Sequence, residues 1–209
     1  MKYEWRKQEK AIYLPKSKPE IVDIPTYQFL TVSGTGNPNN KAFQDYIGVL
    51  YAVSYAIKMT LKKRTPPKGY TDYTVYPLEG VWDISKEAKK NFTGTINKDD
   101  LVFNLMIRQP DFVDHAFVKE MIELTIKKKP HPLLGKVKFE KITDGKCIQM
   151  MHIGSYDSEP KSFQIMEAFA DQNNLSRESK IHREIYITDF RKVTEDKLKT
   201  VLRFKVSDV

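Results

Sequence analysis

The chain has 209 residues, 40% hydrophobic and 30% charged, which is enough to bury a sizeable core and too apolar for extended disorder. No run of 18 apolar residues is present to span a bilayer, and the lone cysteine, Cys147, rules out an intrachain disulfide. The net charge of +8 raises nucleic-acid binding as a possibility, but the basic runs Lys62-Lys63-Arg64, Lys89-Lys90 and Lys127-Lys128-Lys129 come without a helix-turn-helix, a zinc-finger spacing or an RNA-recognition aromatic pattern.

Residues 1–20 are polar and interrupted by Pro15 and Pro19. They are expected to form an arm, with Tyr3, Trp5 and Tyr13 packing it onto something larger. The charges at Lys2, Glu4, Arg6, Lys7, Glu9 and Lys10 occupy the place where a signal peptide needs apolar residues, so a cytoplasmic protein is expected. Ile21–Val32 reads as a strand with a break at Pro25, and Gly34–Asn40 as a turn whose asparagines can cap a helix. The spacing of Phe43, Ile47, Leu50, Ser54, Ile57 and Leu61, with a second stripe of Tyr46, Val49, Val53 and Ala56, predicts a helix over 41–63 covered on two sides. Pro66, Pro67 and Gly69 stop it.

Thr71–Trp82 reads as a strand with an irregularity at Pro77, Asp83–Lys98 as a loop or short excursion, and Leu101–Arg108 as a strand. Asp111 is the expected N-cap of a helix bearing Phe117, Met121 and Leu124 on one face, closed by Pro130 and Pro132. Val137–Ile153 predicts a hairpin turning at Asp144-Gly145. A helix carrying Phe163, Ile165, Met166, Phe169 and Ala170 follows and ends at Asn173-Asn174. His182–Thr188 and Val201–Val206 are the last strands expected.

The two halves match at one offset: Gly34 falls on Gly154, Lys41 on Lys161 and Phe43 on Phe163, with the same element order after each helix. The expected fold class is therefore α+β, with duplicated βαββ units at about 21–110 and 137–206, a helical linker between them, and one domain over 21–209. Pseudo-twofold symmetry between the units would leave a central ligand cleft.

On the strand His182–Thr188, alternation puts His182, Glu184 and Tyr186 on one face and Arg183, Ile185 and Ile187 on the other. A carboxylate between an imidazole and a phenol can pair with a cationic ligand or take a proton from water. The competing reading is a partly solvated face with an ordinary Glu–Arg or Glu–Lys pair. In Tyr73–Trp82, Tyr76 and Trp82 can stack on a flat ligand and Glu79 offers a second carboxylate; core packing for the aromatics and a surface position for Glu79 is the alternative. His115, His131, His152 and His182 with Cys147 show no zinc spacing, Gly34-Thr-Gly36 lacks a third glycine at the dinucleotide spacing, and no Gly-x-Ser-x-Gly motif occurs. No metal or nucleotide cofactor is expected.

The stretches Tyr3–Lys7, Asp72–Trp82, Leu105–Phe112, His131–Pro132, Gly154–Phe163, His182–Tyr186 and Leu198–Val206 resemble the stand-alone bacterial branch of the GyrI-like small-molecule-binding superfamily. The resemblance implies a GyrI-like duplicated fold and a partner that is a small lipophilic aromatic or cationic compound. No membrane partner and no direct nucleic-acid partner are expected, because the chain lacks an apolar span and its basic residues are dispersed. Relatives include drug-sensing modules, where a buried glutamate matched here by Glu184 receives cations between aromatic walls. Others are gyrase-modulating proteins or hydrolases that open the cyclopropane of DNA-alkylating natural products. In the hydrolase form, Glu184 would activate water, Trp82 would hold the flat electrophile, and Tyr76, Tyr55 or Tyr186 would stabilise charge on its carbonyl.

Overall fold

The computed structural model describes residues 2–189 and 192–209. In chain order its elements are helices α1 (Trp5–Gln8) and α2 (Lys10–Tyr13), strand β1 (Glu20–Thr35), helix α3 (Lys41–Leu61), strand β2 (Leu78–Ile84), helix α4 (Lys86–Lys90) and strand β3 (Leu101–Gln109). Helix α5 (His115–Lys128), strand β4 (Lys138–Ile153), helix α6 (Glu159–Gln172) and strands β5 (Leu175–Arg177), β6 (His182–Tyr186) and β7 (Lys199–Asp208) complete this mixed α/β fold. The strands follow the order β4-β1-β3-β2-β6-β7-β5, and β4 also pairs with β7, so the pairing returns on itself with β5 outside the ring. Among the described residues no helix is long and apolar enough to cross a membrane.

The chain divides into two units. Unit 1 comprises Tyr27–Leu78 and Trp82–Ile142 with the segment ending at Glu4; unit 2 comprises Trp5–Thr26, Glu79–Val81 and Thr143–Val209. Strands β1, β2 and β4 therefore contribute residues to both.

In unit 1, β1 and β3 pair antiparallel from Gln28↔Gln109 to Thr35↔Val102. The predicted broad apolar face of α3 is present: Val49, Leu50, Val53, Ser54, Ile57 and Leu61 are buried, and the helix packs against β3 and α5. Gly34 is required by close approach, because a Cβ there would lie 2.6 Å from the Phe103 ring and 2.8 Å from that of Tyr46. Gly34→Ala is expected to cost about 1–3 kcal/mol in chemical denaturation through overpacking; an unchanged midpoint would mean that the two rings yield freely.

In unit 2, β7 is the common partner, pairing antiparallel with β4 (Cys147↔Lys205 to Ile153↔Lys199), with β6 (Arg183↔Arg203 to Tyr186↔Thr200) and with β5 (Leu175↔Asp208 to Arg177↔Val206). Met166 and Ala170 of α6 pack with Ile148, Met150, Leu202 and Phe204 to form its core. The expectation that the arm packs on something larger is met here. Trp5 and Tyr13 are buried with ring centroids 5.2 Å apart, Arg203 donates to the Ile12 carbonyl (3.1 Å), and the Gln149 amide donates to that of Ala11 (2.6 Å).

Four local expectations are corrected. Thr71–Pro77 is not strand; its one bridge joins Tyr73 to Tyr3, and β2 begins at Leu78, just past the proline that lacks a ladder donor. The N-cap of α5 is Asp114, whose carboxylate accepts from the Phe117 amide (2.8 Å), rather than Asp111, and the face it buries carries Val118, Met121 and Thr125, with Phe117 and Leu124 only half-buried. Asn40 precedes α3 without making a side-chain cap bond. Asp144-Gly145 does not turn a hairpin: β4 runs through it as one strand of 16 residues, with Gly145 at φ +69°. The positive φ that a tight turn would use is spent inside the strand, where Asp144 is tied down by arginines.

Candidate functional site

Strand alternation gives β6 two chemically different faces. On one, Arg183 is almost fully buried and bridges two carboxylates: Nη1 lies 2.9 Å from Glu79 Oε2, and Nε and Nη2 lie 2.8 and 2.9 Å from Asp144. Arg203, its register partner on β7, adds a longer contact to Asp144 (3.6 Å) and donates to the Gln149 side chain at 2.8 Å. Burial pushes the Asp144 carboxyl up, but Arg183, Arg203 and Lys205 outweigh it and hold it below its ordinary value. For Glu79 burial wins over the same two arginines, and its carboxyl lies above the ordinary value. This face is a buried ion network.

The other face carries Glu184. It is 8% exposed, and its two oxygens are separately engaged: Oε1 lies 3.1 Å from His182 Nε2, and Oε2 accepts from the Tyr186 hydroxyl at 2.8 Å. The His182 ring packs edge-on against Phe163 of α6, and its Nδ1 lies 3.2 Å from the Lys180 carbonyl oxygen. Tyr156 meets Tyr186 edge to face at 6.1 Å, and burial, followed by Glu184, Glu159 and Asp189, pushes its phenol up.

The residue that sequence reasoning missed is Glu159, the first residue of α6. It is 6% exposed, one of its carboxyl oxygens lies within 4.8 Å of one of Glu184, and its Oε1 has no hydrogen-bond partner. Burial, then Glu184, then Asp157 push it well above the ordinary carboxyl value. An acidic residue in the first turn of a helix ordinarily reads as a solvated partner of the helix dipole, so only the burial reveals it.

A buried histidine anchors the start of α6. His152 Nε2–H faces the Ser155 carbonyl oxygen (3.0 Å), which leaves Nδ1 to accept from Ser162 (2.8 Å), while Ser158 donates to the same carbonyl at 2.7 Å. Ser158 Oγ also lies 3.1 Å from His152 Nε2, so this hydroxyl is tied into the same turn.

Glu159, His182 and Glu184 each offer a ligand atom within 4.8 Å of the others, a spacing that a divalent ion accepts. No metal is assigned on that spacing alone.

Of the residues predicted from sequence, the structure brings together Glu184, His182 and Tyr186. Glu79 lies in unit 2 but is held by Arg183. Trp82, Tyr76 and Tyr55 belong to unit 1. Trp82 is buried beside Phe43 and Phe103 at 5.9 and 5.4 Å, and Tyr76 is buried with the Arg108 guanidinium 4.6 Å from its ring centre. Tyr55 is 52% exposed on α3 and stacks on Tyr51.

Comparison with solved structures places two proteins of Listeria innocua, each described as a hydrolase, beside this chain. One is 34% identical, with 98% of this chain and 100% of that one covered and a TM-score of 0.87; the other is 35% identical over 99% and 100%, at 0.88. The C-terminal domain of EcmrR shares the fold alone, at 13% identity over 92% and 98% with a TM-score of 0.56. No curated protein matches the chain. The match to the family described as GyrI-like small molecule binding domain runs over residues 17–207, nearly the whole chain, and the protein belongs to that family.

Proposed function

We propose that Glu184 is the centre of a small-molecule site at which an electrophilic aromatic compound, of the cyclopropane-containing alkylator class, is hydrolysed. The observation that carries the reading is a buried carboxylate with a histidine ring nitrogen at one oxygen and a phenol at the other. A lysine or arginine would neutralise such a group; a histidine and a tyrosine hold it in place as an acceptor. The similarity to two hydrolases at 34–35% identity supports the catalytic version.

Glu184 takes a proton from water as the water oxygen bonds to the ring methylene carbon. The strained C–C bond breaks and its electron pair relaxes onto the conjugated carbonyl. That oxygen finally receives the proton Glu184 took, so one water is added in all. The test is turnover of a cyclopropane-containing alkylator by wild type and Glu184→Gln, followed by chromatography. Ring opening by wild type and not by the variant supports the hydrolase; ligand binding without turnover in either leaves a binding or sequestering protein.

The proposal extends to the duplicated architecture. The order β1-α3-β2-β3 followed by β4-α6-β6-β7, with β5 as an addition, supports two βαββ copies. It also takes from the family resemblance Trp82 as a wall for a flat ligand, Tyr76 as a catalytic hydroxyl toward its carbonyl and Tyr55 as a ligand contact. Tyr55 is the informative one to replace, because it lies outside the core. Tyr55→Ala is expected to weaken ligand binding by roughly two- to tenfold, the worth of one aromatic contact, with the melting temperature unchanged. Equal affinity in calorimetry would remove Tyr55 from the ligand's surroundings.

A further inference from the structure

We propose that Glu159 and Glu184 form a pair holding a single proton, in which Glu159 is a positioning residue that keeps the proton and directs it at Glu184 as a hydrogen-bond donor. The inference rests on the reading of Glu184 as the base and adds the group that sets its working range.

The geometry requires a shared proton. Two carboxyl groups, 6% and 8% exposed with oxygens within 4.8 Å, cannot both carry charge in surroundings this poor in water. Their hydrogen-bond environments decide which one stays charged. Glu184 has a donor or ring nitrogen at each oxygen, from Tyr186 and His182, as an acceptor-only group needs. Glu159 has an oxygen with no partner, which an acid tolerates and an anion does not.

The other groups around Glu159 are His182 on β6 and Tyr156 and Asp157 in the turn before α6. Asp157, like Glu184, favours the protonated form. The positive end of α6 favours the anion, and burial outweighs it, since the net direction for Glu159 is upward.

With Glu159 protonated, its O–H supports the Glu184 carboxylate while Glu184 accepts the water proton. When rising pH strips Glu159, that donor is lost and a second charge appears beside the base. The rate is therefore expected to fall on the alkaline side with the ionisation of Glu159.

Glu159→Gln separates this role from simple packing, because the amide is the same size, still donates a hydrogen bond and does not titrate. In pH profiles of kcat/KM, Glu159→Gln is expected to keep turnover within about tenfold of wild type and to lose the alkaline limb, whereas Glu159→Ala loses about 100-fold across the range. An unchanged alkaline limb in Glu159→Gln would overturn the proposal.

A second measurement needs no substrate. Because Glu159 binds its proton more tightly when folded, its stabilising contribution is present below its ordinary value of 4.5 and is lost as pH rises through the higher folded value. Denaturation midpoints should therefore show wild type losing stability relative to Glu159→Gln as pH rises above that ordinary value. If that divergence is seen but no substrate turns over, the pair stands and the hydrolase reading fails. Parallel pH dependence with turnover intact would sink the pair and leave the hydrolase reading in place.

Discussion

Glu184→Gln is expected to lower kcat for ring opening by about 10²–10⁴-fold, the usual worth of a positioned general base, with little change in the affinity of a neutral ligand. Glutamine keeps the side chain's volume and leaves an amide oxygen able to accept from Tyr186, now 2.8 Å from Glu184 Oε2. It removes the charge and the capacity to take a proton from water. A loss confined to KM would place Glu184 in uniform binding and not in the chemical step. A cationic ligand should behave differently, losing affinity as well, because the attraction to the carboxylate disappears. Comparing one neutral and one cationic ligand by calorimetry on the same variant therefore reads the two roles of the residue apart.

The largest effect on stability is expected from the opposite face of β6. Asp144→Asn would remove the carboxylate that grips Arg183 through two contacts of 2.8 and 2.9 Å and that Arg203 reaches at 3.6 Å, both arginines being buried at 5% and 3% exposed. Breaking a buried pair in this way costs about 3–5 kcal/mol, a large share of the 5–15 kcal/mol that holds a typical domain. Urea denaturation measures it directly; a loss below about 1 kcal/mol would show that water reaches the arginines. Asp144 also gives the effect a pH signature. Its folded carboxyl lies below the ordinary value of 3.8, so its contribution is present above that value and disappears as pH falls through the lower folded one. Wild type and Asp144→Asn should converge in acid.

The features readable from the sequence were those with a period. The apolar stripes of α3 and the alternation of His182, Glu184 and Tyr186 survive into the structure because each follows from local geometry alone. What escaped depends on partners remote in the chain. Asp144-Gly145 carries a turn signal, but Arg183 and Arg203 claim the aspartate, and β4 continues through the pair. Thr71–Pro77 has strand composition and no ladder to join. Glu159 is hidden for the same reason: Glu before Pro160 at a helix start suggests a solvated residue, and only the arrival of Glu184 makes it a buried acid. The sequence allowed Glu79 to be a ligand carboxylate or a surface residue; in the fold it is buried and held by Arg183.

The way the first residues are woven into unit 2 bears on how the chain is made. The carbonyls of Ala11 and Ile12 are capped by Gln149 and Arg203, and the Lys16 carbonyl receives the Met151 amide. Residue 12 leaves the ribosome long before residue 203, which lies on β7, the strand that joins β4, β5 and β6. The arm must therefore wait for β4 and β7 before these carbonyls find their donors. Unit 2 is consequently closed by contacts far apart in the sequence, and their loop-closure entropy falls on that step.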